Sequence, residues 1–319
     1  MNKRALVVGN TSYDNFPTLT CCVDDAKAMR ERLAKHGNGS KNYDVLELTS
    51  DKSAVTEAAL RDAVSRLFAD FRGGDAVFYF SGHGVATDEG GYLVTQDAKD
   101  DDKGYPMLEL LDAANASGVG TVLMILDCCH SGSMGNTSTE DGSARASLSE
   151  GVTILAASTA AQESQEGMEY SVFTGLLLSA LDGGAANVRG EVTAAAIYGY
   201  VEQSLSSWEQ RPMYKSHARH LNPIRHCEPA VPDDVLLNLP KLFRAPHRPV
   251  AMDPTFEYTV EGAVDENVQK FNQFKLLRNS GLLTAEDDMD LYYAALESKS
   301  VFLTPLGQFY WRLAKEGRI

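Results

Sequence analysis

The chain predicts an α/β fold, a mainly parallel sheet flanked by helices, followed by a small helix-rich module. Three observations carry this. Two wholly apolar runs, 122–126 and 76–80, each stop in a loop of Asp, Cys, His, Ser or Gly, as buried parallel strands with reactive carboxyl ends do. Apolar segments of strand length alternate with amphipathic segments of helical length. Past about residue 256 the alternation gives way to short helical patterns with Gly and Pro stops.

Each element has its reason. "RALVVGN" (4–10) is a short apolar first strand. "DDAKAMRERLAKHG" sets Ala26, Met29, Leu33 and Ala34 on one face and ends at Gly37, so it reads as a helix. "YDVLELT" alternates as a second strand, and "DKSAVTEAALRDAVSRLFADFRGG" is an amphipathic helix with a double glycine stop. "DAVFYFSGHGV" (75–85) is the third strand, with "GGYLVTQDA" as part of a hairpin after it. "MLELLDAANASG" is a helix leading into "VLMILDCCHSG" (122–132), and "VTILAAS" (152–158) returns as a strand. Helices follow in "SVFTGLLLSALDGG" and "TAAAIYGYVEQSL".

Domain boundaries follow from composition. Residues 133–150 are small, polar and rich in Gly, Ser and Thr, the pattern of an exposed loop. Seven of the eleven prolines fall within 223–254, which predicts a Pro-rich linker over 223–255 between a domain at 1–222 and a module at 256–319. In that module "ENVQKFNQFKLLRNSGLL", "DDMDLYYAAL" and "SVFLTPLGQFYWRLAKEG" suggest a winged-helix-like arrangement. Residues 252–319 carry seven Lys or Arg against eleven Asp or Glu. A DNA-reading winged helix is usually basic, so docking or regulation by a protein partner is the expected role.

A net charge of −15 argues against nucleic acid or an anionic membrane as partner. The five cysteines (Cys21, Cys22, Cys128, Cys129, Cys227) are odd in number and mostly adjacent, which disfavours a disulfide framework and points to a reducing, cytoplasmic setting. The apolar run in "MNKRALVVGN" is too short for a signal peptide. No apolar run approaches the roughly 18 residues of a membrane span.

The chemistry concentrates at two strand ends. His83 and Cys129 stand 46 residues apart, each at a predicted carboxyl end, where open α/β sheets bind ligands. A thiol is mostly protonated at neutral pH and gains from a nearby imidazole that takes or orients its proton. Gly84 lets a backbone N–H approach a reacting carbonyl, and with the N–H of Cys129 it would form an oxyanion hole. A buried structural Cys with a core His is the plain alternative, and the placing of both at strand ends speaks against it. Zinc on Cys128, Cys129, His130 and His83 does not fit the usual C-x2–4-C spacing. "GNTSYDN" after the first strand lacks the dinucleotide fingerprint.

The blocks "ALVVGNTSY", "DDAKAM", "FYFSGHG", "GYLVTQDA", "LDCCHSG" and "ILAASTAAQES" resemble the successive motifs of caspase-like cysteine peptidases, in the metacaspase and prokaryotic caspase branch. The resemblance runs from Arg4 to Ser207 and implies a six-stranded caspase-like sheet. It implies His83 as base and Cys129, not Cys128, as nucleophile. The Gln-Ala-Cys motif of animal caspases is absent. By the same resemblance Asp127 and Asp25 line the first specificity pocket, with Ser81 at a minor position and Asp24 where the family usually has Asn. Two carboxylates in one pocket select a cation, Arg ahead of Lys because its fork is bidentate. Helix capping is the alternative role for Asp25.

Further expectations rest on the resemblance. Arg145 is the only Lys or Arg between Lys103 and Arg189. In "GSARASLSE" it becomes the expected activating cleavage site, cut in cis or by an upstream protease; an ordinary solvated loop residue is the alternative. No cofactor or metal is expected. Calcium is the exception to test, since many metacaspases require it and "DAKDDDKG" (97–104) is acidic; "SMGNTS" after the Cys lacks the carboxylate the family's site uses. The expected activity is cleavage of protein substrates after Arg, and secondarily Lys, in a bacterial stress, cell-death or antiphage setting. A non-catalytic scaffold signalling through the C-terminal module, and a clostripain-like Arg peptidase, stay open as alternatives.

Overall fold

The structure is a computed structural model that describes residues 2–88, 90–100, 102–128, 148–157, 169–205, 212–218 and 222–319. Two compact units emerge, one of residues 1–186 and 191–227, the other of 187–190 and 228–319.

The first unit is built on strands β1 (Lys3–Gly9), β2 (Asp44–Thr49), β3 (Asp75–Ser81), β4 (Thr121–Asp127), β5 (Val152–Ala156) and β6 (Met213–Ser216). They form one sheet in the order β6-β5-β4-β3-β1-β2. All neighbours are parallel except β6, which runs antiparallel to β5. The expected mainly parallel six-stranded sheet is therefore present. After β3 a small antiparallel hairpin, Gly84–Thr87 with Gly90–Leu93, continues the chain.

Alternation along the strands divides the core into two layers. Leu6, Val8, Phe78, Phe80, Met124 and Leu126 face helices α2 (Glu57–Phe68) and α3 (Met107–Ala116). Val7, Val77, Tyr79, Leu123 and Ile125 face α1 (Cys22–Ala34), α4 (Val172–Ser179) and α5 (Ala194–Ser204). The same alternation puts Ser81 and Asp127 on the α1/α4 side and sends Cys128 into the α2/α3 core.

Register then aligns the carboxyl ends. Gly9 pairs with Ser81, and Ser81 with Asp127, so β1, β3 and β4 end level. Gly9 lets α1 sit directly on this edge. A Cβ there would lie 2.3 Å from the Cys22 carbonyl oxygen and 2.8 Å from Ala26 Cβ.

The second unit comprises α6 (Asp233–Leu242), α7 (Asp265–Asn279), β7 (Leu283–Ala285), α8 (Leu291–Leu296), β8 (Ser300–Leu303) and α9 (Pro305–Lys315). β8 pairs antiparallel with β7 and with the short strand Val250–Ala251. Its core packs Phe243, Phe271, Phe274 and Leu277. Trp311 donates its indole N–H to the Phe243 carbonyl at 2.8 Å. The C-terminal region is helix-rich, as expected. The stretch 223–255, expected as a linker, differs: α6 lies within it and buries Val235, Leu236 and Leu239. Two of its prolines mark element starts, and Pro240 lies inside α6. Pro232 precedes α6 and Pro254 opens a single 3₁₀ turn, where a missing N–H costs nothing.

No helix among the described residues is long and apolar enough to cross a membrane.

Candidate active site

His83 lies two residues beyond the end of β3 and is held from one side by the loop after β1. Its backbone N–H donates to Tyr13 Oη at 2.8 Å, and Tyr13 donates in turn to the Asn10 carbonyl at 2.9 Å. The Tyr13 ring lies 4.7 Å from the imidazole, centroid to centroid, and the Phe16 ring 6.4 Å. His83 Nε2 stands 2.8 Å from the Pro17 carbonyl oxygen. A carbonyl only accepts, so Nε2 carries a proton, and in the neutral ring the lone pair sits on Nδ1. No described residue bonds Nδ1. The imidazole is thereby set as a base, its ring fixed on one edge and its basic nitrogen open. Gly84 follows directly as the first residue of the hairpin.

The carboxylates of Asp25 and Asp127 meet on the α1/α4 side of the same edge. Asp25, in the first turn of α1, has no exposed surface. Its Oδ2 accepts from Ser81 Oγ at 2.9 Å and its Oδ1 from the Ser171 N–H at 3.0 Å. Asp127 Oδ2 accepts from Ser171 Oγ and, at 2.6 Å, from Thr174 Oγ1. Tyr79 donates to Thr174, 2.6 Å away. All these donors are neutral. No Lys, Arg or His among the described residues pairs with either acid. Burial, and then the charge of Asp127, push the Asp25 carboxyl up to about 7. Burial also raises Asp127 above the usual carboxylate range. Two adjacent acids with no counter-cation among the described residues either share a proton or receive a cation from outside.

The structure thus brings together Asp25, Ser81 and Asp127, with His83 at the end of the same strand as Ser81. Cys129 and Arg145 lie outside the described residues, as does most of 133–150. Cys128 is buried, 5% exposed, in the α2/α3 core. Cys22 lies beside Ser81, and burial pushes its thiol well up, which makes it inert as a nucleophile. Among the described residues no group of three or more His, Cys, Asp or Glu is arranged to hold a metal ion.

Four contributors were missed by the sequence reading: Tyr13, Pro17, Ser171 and Thr174. Ser171 stands just before the apolar run "VFTGLLL" and caps α4 by accepting from the Thr174 N–H at 3.0 Å. That N-cap was readable; its reach to two distant acids was not. Pro17 acts through its backbone carbonyl, which has no side-chain signature.

Comparison with known proteins bears on the fold and the family. A crystal structure of a protein from Geobacter sulfurreducens superposes with a TM-score of 0.50 at 22% identity, covering 72% of this chain and 100% of that one, a likeness of fold. No curated protein matches the sequence. The caspase domain family matches residues 2–222. With that match over the unit that carries His83 and the paired acids, the chain belongs to the caspase-domain family of cysteine peptidases.

Proposed function

We propose that this caspase-family peptidase cuts protein chains after Arg, and secondarily Lys, with Cys129 as nucleophile and His83 as base. One observation carries the specificity: Asp25 and Asp127, side by side at the strand ends, are held by neutral donors alone among the described residues. A guanidinium supplies the charge this pocket lacks, and its planar fork engages two carboxylates in a way an ammonium does not.

The chemistry follows from the set imidazole. His83 Nδ1 takes the Cys129 thiol proton as the sulfur attacks the carbonyl carbon of the scissile bond. Backbone N–H groups of Gly84 and Cys129 receive the oxyanion. The imidazolium returns its proton to the leaving amine, which leaves a thioester. Water, deprotonated by the same nitrogen, then releases the acid product and the thiol. No metal or cofactor enters any step.

On this reading the enzyme is made as a zymogen and matures by a cut after Arg145, the only Lys or Arg between Lys103 and Arg189. The C-terminal unit docks a regulator or substrate. A stress, cell-death or antiphage role in the cytoplasm is carried over from the family resemblance.

The experiment is a pair of measurements on wild-type and Cys129→Ala protein, namely intact mass after incubation and hydrolysis of matched Arg, Lys and Asp peptides. Cleavage after Arg145 and after Arg peptides by the wild type alone is expected. Hydrolysis that favours Asp peptides, or that survives in Cys129→Ala, would overturn the reading.

A further inference from the structure

Resting on the reading of Asp25 and Asp127 as the cation pocket, we propose that Ser171 is the positioning residue that sets its specificity. Ser171 ties the two carboxylates together and holds them oriented for one guanidinium.

All polar groups of Ser171 are committed. Its Oγ accepts the Thr174 N–H at 3.0 Å, so its single hydroxyl proton goes to Asp127 Oδ2. Its backbone N–H goes to Asp25 Oδ1 at 3.0 Å. One residue at the start of α4 therefore ties an acid from α1 to an acid from β4, two elements far apart in the chain. Asp25 Oδ2 is taken by Ser81, and Asp127 Oδ2 also accepts from Thr174. Asp127 Oδ1 has no partner among the described residues, and Asp127 is only partly buried. That oxygen is the open landing point.

Two like charges this close repel, and burial disfavours both. Donors from Ser171 oppose that, because a hydrogen bond to a carboxylate favours its charged form. Without the hydroxyl, Asp127 keeps its proton to higher pH and is free to rotate. A guanidinium then loses its second, fixed acceptor. An ammonium, a point charge with rotatable donors, loses less. The preference for Arg over Lys should narrow.

The test is kcat and KM for matched Arg and Lys peptides across neutral pH with wild type, Ser171→Ala, Ser171→Thr and Thr174→Val. In Ser171→Ala, KM for the Arg peptide should rise roughly tenfold near neutrality, the scale of one hydrogen bond to a charged group. kcat should stay within about twofold, and the acid limb of kcat/KM should move to higher pH as Asp127 keeps its proton. Ser171→Thr, which keeps the hydroxyl, should restore both. An unchanged KM and acid limb in Ser171→Ala would overturn the inference. Should that variant misfold, Thr174→Val removes the other hydroxyl on the same Asp127 oxygen and leaves the helix cap in place. An unchanged KM and acid limb there would be equally decisive. A wild-type enzyme that cuts after neither Arg nor Lys would bring down the proposed function itself, and that is read before any variant is made.

Discussion

His83 hangs its backbone N–H on the phenol oxygen of Tyr13, 2.8 Å away, and Tyr13 donates its own O–H to the Asn10 carbonyl at 2.9 Å. The phenol is buried and its pKa is pushed up by that burial, so it stays protonated throughout the working pH range. Tyr13→Phe keeps the ring against the imidazole but leaves a buried N–H and a carbonyl unpaired. Such a loss costs about 1–3 kcal/mol. The expected result is a lower melting temperature and a kcat down about tenfold with KM little changed, because the base and not the specificity pocket is disturbed. Steady-state kinetics on an Arg peptide, with a thermal melt, check this. A KM effect without a kcat effect would contradict the assignment.

Gly82 lets the Tyr13 phenol come close. A Cβ at Gly82 would lie 2.8 Å from Tyr13 Oη and 2.9 Å from the Phe80 ring. The phenol oxygen cannot give way cheaply, being tied at both sides. Gly82→Ala should therefore shift His83 by a fraction of an ångström to about 1 Å, a displacement that can cost about 100-fold in rate. Circular dichroism should still report a folded domain. A variant that keeps more than about a tenth of wild-type activity would show that the clamp on His83 is looser than this geometry implies.

The Asp25 carboxyl, raised to about 7 by burial and by Asp127, gives the enzyme a pH limb of its own. The pocket binds a cation in its ionised form. Below about pH 7 the incoming guanidinium must displace a proton, so kcat/KM for Arg peptides should fall close to tenfold per pH unit. Above that it should level off. The effect belongs to KM, and it should vanish in Asp25→Asn, whose residual activity should be low and flat in this range. An acid limb that persists unchanged in Asp25→Asn would assign it to another group.

The same shift predicts a stability change of definite sign. Between about pH 4 and 7 the folded protein holds a proton on Asp25 that the unfolded chain has released. Folded stability from this group is therefore fully present below about pH 4 and is lost as pH rises through about 7. Asp25→Asn cannot lose that proton. Relative to wild type it should gain stability on going from acid to mildly alkaline pH, by an amount on the order of 4 kcal/mol at most. Denaturant titrations of both proteins at pH 5 and pH 8 measure it. A gap that stays constant between the two conditions would mean that Asp25 titrates normally.

Much of the fold could be read from residue order alone because the sheet is buried on both faces. Runs such as Ala76–Phe80 and Val122–Leu126 have no place but a parallel core, and their level ends follow from register. Asp25, Ser81 and Asp127 were each recognisable from their motifs, and each lies next to a strand or helix end. Ser171 and Pro17 were not, because what they contribute is made by tertiary approach: a helix cap aimed at two acids, and a backbone carbonyl. The Pro-rich stretch misled for a local reason. Pro232 and Pro254 stand at helix starts and Pro240 inside a helix, so Val235, Leu236 and Leu239, at helical spacing, were the better guide. Cys129 and Arg145 lie outside the described residues, and the roles proposed for them come from the sequence motifs.

The adjacent thiols at the end of β4 offer a final separation of structure from chemistry. β4 alternates, so Leu126 and Cys128 point into the α2/α3 core while Asp127 points to the α1/α4 side. Cys128 is 5% exposed, on the face away from the paired acids. Cys128→Ala removes one buried sulfur, which should cost about 1 kcal/mol in stability through a small cavity. Its kcat/KM on Arg peptides should remain within about twofold of wild type. Cys129→Ala should show the reverse, near-native stability with hydrolysis abolished. Labelling with an iodoacetamide probe at neutral pH, followed by peptide mapping, adds an independent reading. The label should land on Cys129 and spare Cys128, since the reactive form is the accessible thiolate. Loss of activity in Cys128→Ala with Cys129 intact would reverse the assignment of the two thiols.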